Sequence, residues 1–210
     1  YNCPVVAYYS ELLKGNMDSL KGVRFLYPFL NINSEKELSK EIHAALSPLW
    51  PDITRGEARR AVKAGMQAFH DYQSAVRAEG EKALAYAREH GKRVMILAGR
   101  PYHIDPEISH GIDKLAASLG FVVVSEDSIF QLAELPRVRV LNQWTYHSRL
   151  YRAAQYASEH KDTQLVQLVS FGCGVDAITT DEVRSILESH GKYYTQIKID
   201  EITNLGAVKI

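Results

Sequence analysis

Four short apolar runs recur in the second half of the chain, and each is followed or preceded by a helical pattern. They are Arg93-Val-Met-Ile-Leu-Ala98, Phe121-Val-Val-Val124, Leu165-Val-Gln-Leu-Val169 and Tyr193 to Ile199. Near-continuous apolar strands that do not alternate with polar residues belong in a sheet buried on both faces. Helical segments between them, at about Pro106–Leu119, Asn142–His160 and Thr180–Ser189, supply the covers. The pattern predicts an α/β fold: a parallel sheet with helices on both faces, flavodoxin/Rossmann-like, joined by right-handed crossovers.

The first half is less regular. Pro4 to Leu13 reads as a short helix with Pro4 at its first position, where a missing N–H costs nothing. Val23-Arg-Phe-Leu-Tyr27 reads as a strand that stops at Pro28. Ser34-Glu-Lys-Glu37 and Thr54-Arg-Gly-Glu57 are capping-box patterns. The second opens a long helix, from 54 to 90, that Gly65 and Gly80 weaken, with a possible break near Gly80. The expected organisation is therefore a partial α/β unit plus a long connecting helix over residues 1–91. A complete α/β unit follows over 92–210.

Composition narrows the function. The 210 residues carry 25 Lys+Arg and 25 Asp+Glu, a formal net charge of zero. That balance leaves no electrostatic footprint for nucleic acid or an anionic membrane. No apolar run reaches the length that spans a bilayer, and no signal-peptide pattern is present. Two cysteines make no disulfide framework, so the expected compartment is the reducing cytoplasm. The first residue is Tyr1 rather than Met, which points to a piece of a longer protein.

Ligands of parallel α/β sheets bind at the carboxyl ends of the strands. Three places there can carry chemistry. In Ser170-Phe-Gly-Cys-Gly-Val-Asp-Ala177, Cys173 follows a strand and precedes a helix. Gly172 and Gly174 leave room for a bulky ligand, and the helix dipole favours a thiolate. A small buried residue is the competing reading of Cys173. Cys3, just before Pro4, is the N-cap of the first predicted helix, where a thiolate is again favoured. Two such thiols, able to converge in space, suit iron–sulfur or zinc ligation but make only half of a four-ligand set. The third place is the loop Gly99-Arg-Pro-Tyr-His-Ile-Asp105, with Arg100 to bind an anion and His103 to relay a proton. Asp105 caps the helix that starts at Pro106, and His110 packs on that helix. Glu126-Asp127 reaches the same edge after the next strand, so Glu126 joins Arg100 and His103 as a candidate catalytic group. Capping the following segment is its competing role.

The stretches NCPVVAYY, AGRPYHIDPEISHGI, VVVSEDSI and LVSFGCGVDAITTDEV together resemble the acyl-CoA dehydratase activase-related proteins, relatives of the 2-hydroxyglutaryl-CoA dehydratase system. The resemblance implies anaerobic metabolism in which an ATP-driven activator passes electrons uphill into a partner of tandem α/β domains. It places this chain in the partner-like region. It implies an iron–sulfur cluster, of the 4Fe–4S type, in the full-length parent, with Cys3 and Cys173 at metal-ligand positions facing a common cleft. A further ligand cysteine is expected upstream, so the cluster is absent or incomplete in this piece. The implied partners are the ATPase activator segment of the same or another chain, an acyl-CoA or small-molecule substrate, and a second copy in a homodimer. The chain has no Gly-x4-Gly-Lys-Ser/Thr phosphate loop, which argues against ATP hydrolysis by this piece. Three alternatives stay open: an assembly module that docks the ATPase, a CoA- or nucleotide-binding domain using residues 99–107, and a thiol enzyme with Cys173 as nucleophile.

Overall fold

A computed structural model describes residues 4–170, 172 and 174–199. By its internal contacts the chain divides into two units, with the change between Ala75 and Val76.

The larger unit is built on four strands: β1 (Val94–Ala98), β2 (Val122–Ser125), β3 (Thr163–Val169) and β4 (Thr195–Lys198). All pairings are parallel, in the order β2-β1-β3-β4. The α/β expectation holds. The strand runs lie within a residue or two of their sequence positions.

We number the helices in chain order. The smaller unit has α1 (Pro4–Ala7), α2 (Tyr9–Asn16) and α3 (Glu35–Leu46). The helix α4 (Arg55–Glu89) runs through the division at Ala75. The larger unit adds α5 (Ile112–Ser118), α6 (Glu126–Ile129), α7 (Thr145–Glu159) and α8 (Gly174–Glu188).

Right-handed crossovers on this strand order put α5 on one face and α7 and α8 on the other. The cores divide in that way. On one face Val94, Ile96, Ala98, Val124 and Leu165 pack with Leu84 and Ala87 of α4, with α7 from Leu150 to Ala157, and with Val183, Ile186 and Leu187 of α8. On the other, Leu97, Val166 and Leu168 pack with Ile112 of α5 and with Met95, Val123 and Ile197. Strands buried on both faces have no polar side to alternate with, which is why they read as continuous apolar runs.

Several expectations need correction. Residues 23–27 form no strand. Phe25 and Tyr27 stack on one another at 5.5 Å, and a strand needs a partner that the described residues of this unit do not supply. The helix expected from Pro4 to Leu13 is divided at Tyr8 into α1 and α2. The helix expected from Pro106 begins only at Ile112, because His110 (φ 52°) and Gly111 (φ 74°) are left-handed. His110 is therefore an exposed turn residue and does not pack on a helix. Asp105 caps the turn instead, its Oδ1 accepting from the N–H of Glu107 at 2.9 Å and of Ile108 at 3.3 Å. The helix after β3 starts at Gly174, six residues before Thr180, and so takes in Asp176.

The capping box at Thr54 forms in full. Thr54 Oγ1 accepts from Glu57 N–H at 3.2 Å, and Glu57 Oε2 accepts from Thr54 N–H at 2.9 Å. At Ser34 half of it forms: Ser34 Oγ accepts from Glu37 N–H, while Glu37 Oε2 accepts from the Asn31 side chain. The helix α4 has no break at Gly80. A Cβ there would lie 2.4 Å from the carbonyl oxygen of Ser128 and 2.7 Å from its Cβ, so this glycine lets α6 come close.

Candidate functional site

β1 connects toward β2, and β3 connects toward β4, so the chain's direction across the sheet reverses between β1 and β3. In doubly wound sheets the crevice at such a reversal, outside the carboxyl ends of the strands, is where ligands bind. Here it is flanked by the loop after Ala98 and the residues after Val169. The loop after β2 shares the edge because all four strands are parallel.

Gly99 sets the first loop. A Cβ at Gly99 would lie 2.5 Å from His103 Nδ1 and 2.9 Å from the carbonyl oxygen of Leu168. Without a side chain there, residues Pro101–Ile104 turn back in a short 3-10 helix and lay the His103 ring against the strand ends. That ring is 1% exposed. Its Nδ1 accepts from Arg100 N–H at 3.0 Å, so the neutral ring carries its proton on Nε2, which lies 3.3 Å from Ser170 Oγ. Tyr102 sits edge-on to the ring at 4.5 Å, with its hydroxyl 3.3 Å from the same Ser170 oxygen. Burial pushes the His103 pKa down; the Asp176 carboxylate opposes this and the Arg100 charge adds to it. His103 is thus an uncharged imidazole at neutral pH, oriented as a donor rather than a base toward Ser170.

The Arg100 guanidinium crosses to α8. Its terminal nitrogen donates to Asp176 Oδ1 at 2.9 Å and its Nε donates to the same oxygen at 3.2 Å. The two side chains are 15% and 13% exposed. Asp176 stands in the first turn of α8, where the helix dipole stabilises a carboxylate. Its Oδ2 is buried with no hydrogen-bond partner among the described residues, and so is Nδ1 of His147 in the first turn of α7. His147 is 8% exposed, and its pKa is pushed down by burial, up by Asp176 and down by Arg100.

Glu126 is at the same edge but in different company. It is 2% exposed, and its Oε1 accepts from the Arg149 guanidinium at 2.5 Å. Burial pushes its carboxyl up to about 7, against the pull of Arg149 and with a further push from Asp127.

The structure therefore brings Arg100 and His103 together with Ser170 and Asp176, gives Glu126 to Arg149, and buries His147 at the start of α7. Sequence reasoning missed Ser170, Asp176, Arg149 and His147. Asp176 carried a signal, as an acid in a helix's first turn; Ser170 carried only its place at a strand end, and His147 and Arg149 carried none. Cys3 and Cys173 lie outside the described residues. Gly172 and Gly174, on either side of Cys173, are exposed; neither has a positive φ, and a Cβ at either would meet nothing within 4 Å among the described residues. Among the described residues, open space rather than backbone strain is what these glycines provide.

Thiolates are soft donors that suit iron–sulfur clusters and zinc. Among the described residues nothing crowds Gly172 or Gly174, which leaves room for a bulky group, but the chain's two cysteines are half of a four-thiolate set. Among the described residues no group of three or more His, Cys, Asp or Glu is arranged to hold a metal ion. No helix among them is long and apolar enough to cross a membrane. A groove of about 550 Å³ lies elsewhere, between residues 132–137 and the carboxyl-terminal halves of α7 and α8, and contains none of the site residues.

A search of curated proteins and a search of solved structures each found no significant match. A family model does match, described as the CoA enzyme activase uncharacterised domain, over residues 1–129. The match takes in Cys3, Arg100, His103 and Glu126, and ends before Ser170, Cys173 and Asp176. With more than half of its length matched, the chain belongs to the CoA enzyme activase uncharacterised domain family.

Proposed function

We propose that this chain is part of an iron–sulfur protein related to the 2-hydroxyacyl-CoA dehydratase activator system. In this reading it receives electrons from an ATP-driven activator for low-potential reduction. Cys173 and Cys3 contribute thiolates, and the remaining ligands come from outside these 210 residues. The observation that carries the reading is the open space at Gly172 and Gly174, beside a buried polar cluster at the reversal between β1 and β3. Membership of an activase-related family supports it. A cluster of this kind, when bound, takes up and passes on single electrons. The chain's own part is electrostatic. The start of α8 favours a thiolate over a thiol at the residue before it. The Arg100–Asp176 pair holds that start to the loop after β1. His103, uncharged and fixed by Arg100 N–H, keeps Ser170 hydrogen-bonded without adding charge.

Binding of a CoA or nucleotide phosphate by residues 99–107 is less well served, because Arg100 is engaged by Asp176 and His103 is buried. One observation favours a second reading, an assembly module that docks the ATPase. Neither α1 nor α2 buries a residue, and Val5, Val6, Tyr8, Tyr9 and Leu12 are all exposed. Contiguous exposed apolar side chains mark interaction surfaces. Counting iron and sulfide in the intact protein, prepared without oxygen, separates the two. A brown, air-sensitive protein whose cluster depends on Cys173 supports the first. A cluster indifferent to Cys173, with binding of the ATPase retained by the 210-residue chain alone, supports the second.

A further inference from the structure

The hydrogen bonds around Ser170 can be counted proton by proton. A backbone N–H only donates, so Arg100 N–H makes His103 Nδ1 an acceptor and leaves the ring's one proton on Nε2. Nε2 therefore donates to Ser170 Oγ, 3.3 Å away. The Ser170 and Tyr102 oxygens lie 3.3 Å apart, and each carries one proton. One of those two protons closes the contact between them. Among the described residues neither hydroxyl has another hydrogen-bond partner. Whichever way the pair is arranged, one hydroxyl proton is left over for an acceptor from outside the cluster. Both contacts are longer than is usual for their kind, so the hydroxyls are free to turn. Tyr102 is exposed and Ser170 half-buried, which puts that proton within reach of a ligand.

We propose that the Tyr102–Ser170 hydroxyl pair is a directed donor that binds the carbonyl oxygen of a neutral organic ligand in the crevice at the β1/β3 reversal. The fixed amide sets the sense of the whole chain, from Arg100 N–H through His103 to Ser170, and hydrogen bonds running one way polarise each other. A chain that can only donate at its open end selects an acceptor, which is a carbonyl, carboxylate or phosphate oxygen. Charge decides among these. Arg100 is matched by Asp176 at 2.9 Å, and the His103 ring is uncharged. The other charges of residues 99–107 are Asp105 and Glu107, both acidic, which disfavours an anion. Apolar surface for the body of the ligand is at hand, since Tyr102 and Ile104 of the same short turn are both exposed. This binding role goes beyond the iron–sulfur reading and needs only the crevice and the loop after β1.

The test uses the 210-residue chain, without any cluster, and acetophenone labelled with carbon-13 at its carbonyl as the probe. Isotope-edited infrared spectra of the bound probe show the carbonyl stretch below its frequency in hexane, as a hydrogen bond to that oxygen requires. Acetate and inorganic phosphate bind more weakly than acetophenone. Nitrogen-15 spectra of labelled histidine show His103 with its proton on Nε2. Tyr102→Phe and Ser170→Ala each still leave one hydroxyl proton for the ligand, and the double variant leaves none. Each single variant therefore weakens binding by less than about threefold and the double variant by about tenfold, the worth of one hydrogen bond. Absence of acetophenone binding to the unaltered chain, an unshifted stretch, or a double variant that binds as tightly as the unaltered chain overturns the proposal. So does tighter binding of acetate or phosphate, or a His103 proton found on Nδ1. If circular dichroism shows the double variant unfolded, the stretch and the His103 tautomer in the unaltered chain decide. Iron content of the intact protein plays no part in these readouts, so failure here and failure of the iron–sulfur reading are distinguishable.

Discussion

Two glycines on α4 should respond to alanine in opposite directions. Helix propensity alone favours Ala over Gly by about 1 kcal/mol in a helix interior. At Gly65 nothing lies within 4 Å of an added Cβ, so the whole gain should appear, and Gly65→Ala stabilises by roughly 1 kcal/mol. At Gly80 the same Cβ would lie 2.4 Å from the Ser128 carbonyl oxygen and 2.7 Å from its Cβ. Ordinary contact needs about 1 Å more, and the obstacle includes backbone, so α4 and α6 must separate. Overpacking of that kind costs about 1–3 kcal/mol and outweighs or cancels the propensity gain. The two substitutions should therefore differ by about 1–3 kcal/mol. Urea unfolding followed by tryptophan fluorescence reads this unit by unit, since Trp50 and Trp144 fall on different sides of the division. Gly65→Ala is read through Trp50 with Trp144 replaced by Phe, and Gly80→Ala through Trp144 with Trp50 replaced by Phe. Ser128→Gly should relieve Gly80→Ala only in part, because the carbonyl remains. Equal stabilisation by both alanines would refute the close-approach reasoning.

Gly99→Ala should expel the His103 ring, since the new Cβ would sit 2.5 Å from Nδ1; we expect a loss of about 2 kcal/mol and faster modification of His103 by diethyl pyrocarbonate. The pH dependence of stability has two opposing parts. Glu126, raised from 4.5 to about 7, binds its proton more tightly when folded, so its contribution is complete below about 4.5 and is lost as pH rises through 7. A shift of that size is worth at most about 3 kcal/mol, and Glu126→Gln should flatten this limb in urea midpoints measured from pH 4.5 to 8. His103 and His147, both lowered below 6.5, act in the other sense: their contribution is present above that value and falls away on acidification, and His147→Gln should reduce the acid loss.

Three of the four strands were legible because a sheet covered on both faces leaves a near-continuous apolar run, as in Val94–Ala98 and Leu165–Val169; β4 is short and mostly exposed, and was legible from its place after a helix. The shared edge followed from their being parallel. Local chemistry was legible too where it is strictly local, as in the reciprocal Thr54–Glu57 cap. What failed depends on partners distant in sequence. Residues 23–27 have the composition of a strand and, among the described residues of their unit, no strand to pair with. Gly80 reads as a weak point in a helix until Ser128 is brought against it. Arg100 and Asp176 stand 76 positions apart and meet only once β1 and β3 are neighbours. Glu126 reads as an available carboxylate at a strand end, and its burial beneath Arg149 is settled by α7, whose first turn carries no sequence mark of that contact.

The most direct test of the proposed function is Cys173→Ser in the intact protein that carries this chain, prepared without oxygen. Serine keeps the size and removes the soft, charged donor. The account predicts less iron per chain and a diminished electron paramagnetic resonance signal after reduction. Reductant-dependent activity should be lost while circular dichroism and melting temperature are retained. An unchanged iron content and cluster signal in Cys173→Ser would contradict the account and return Cys173 to the role of a packing residue.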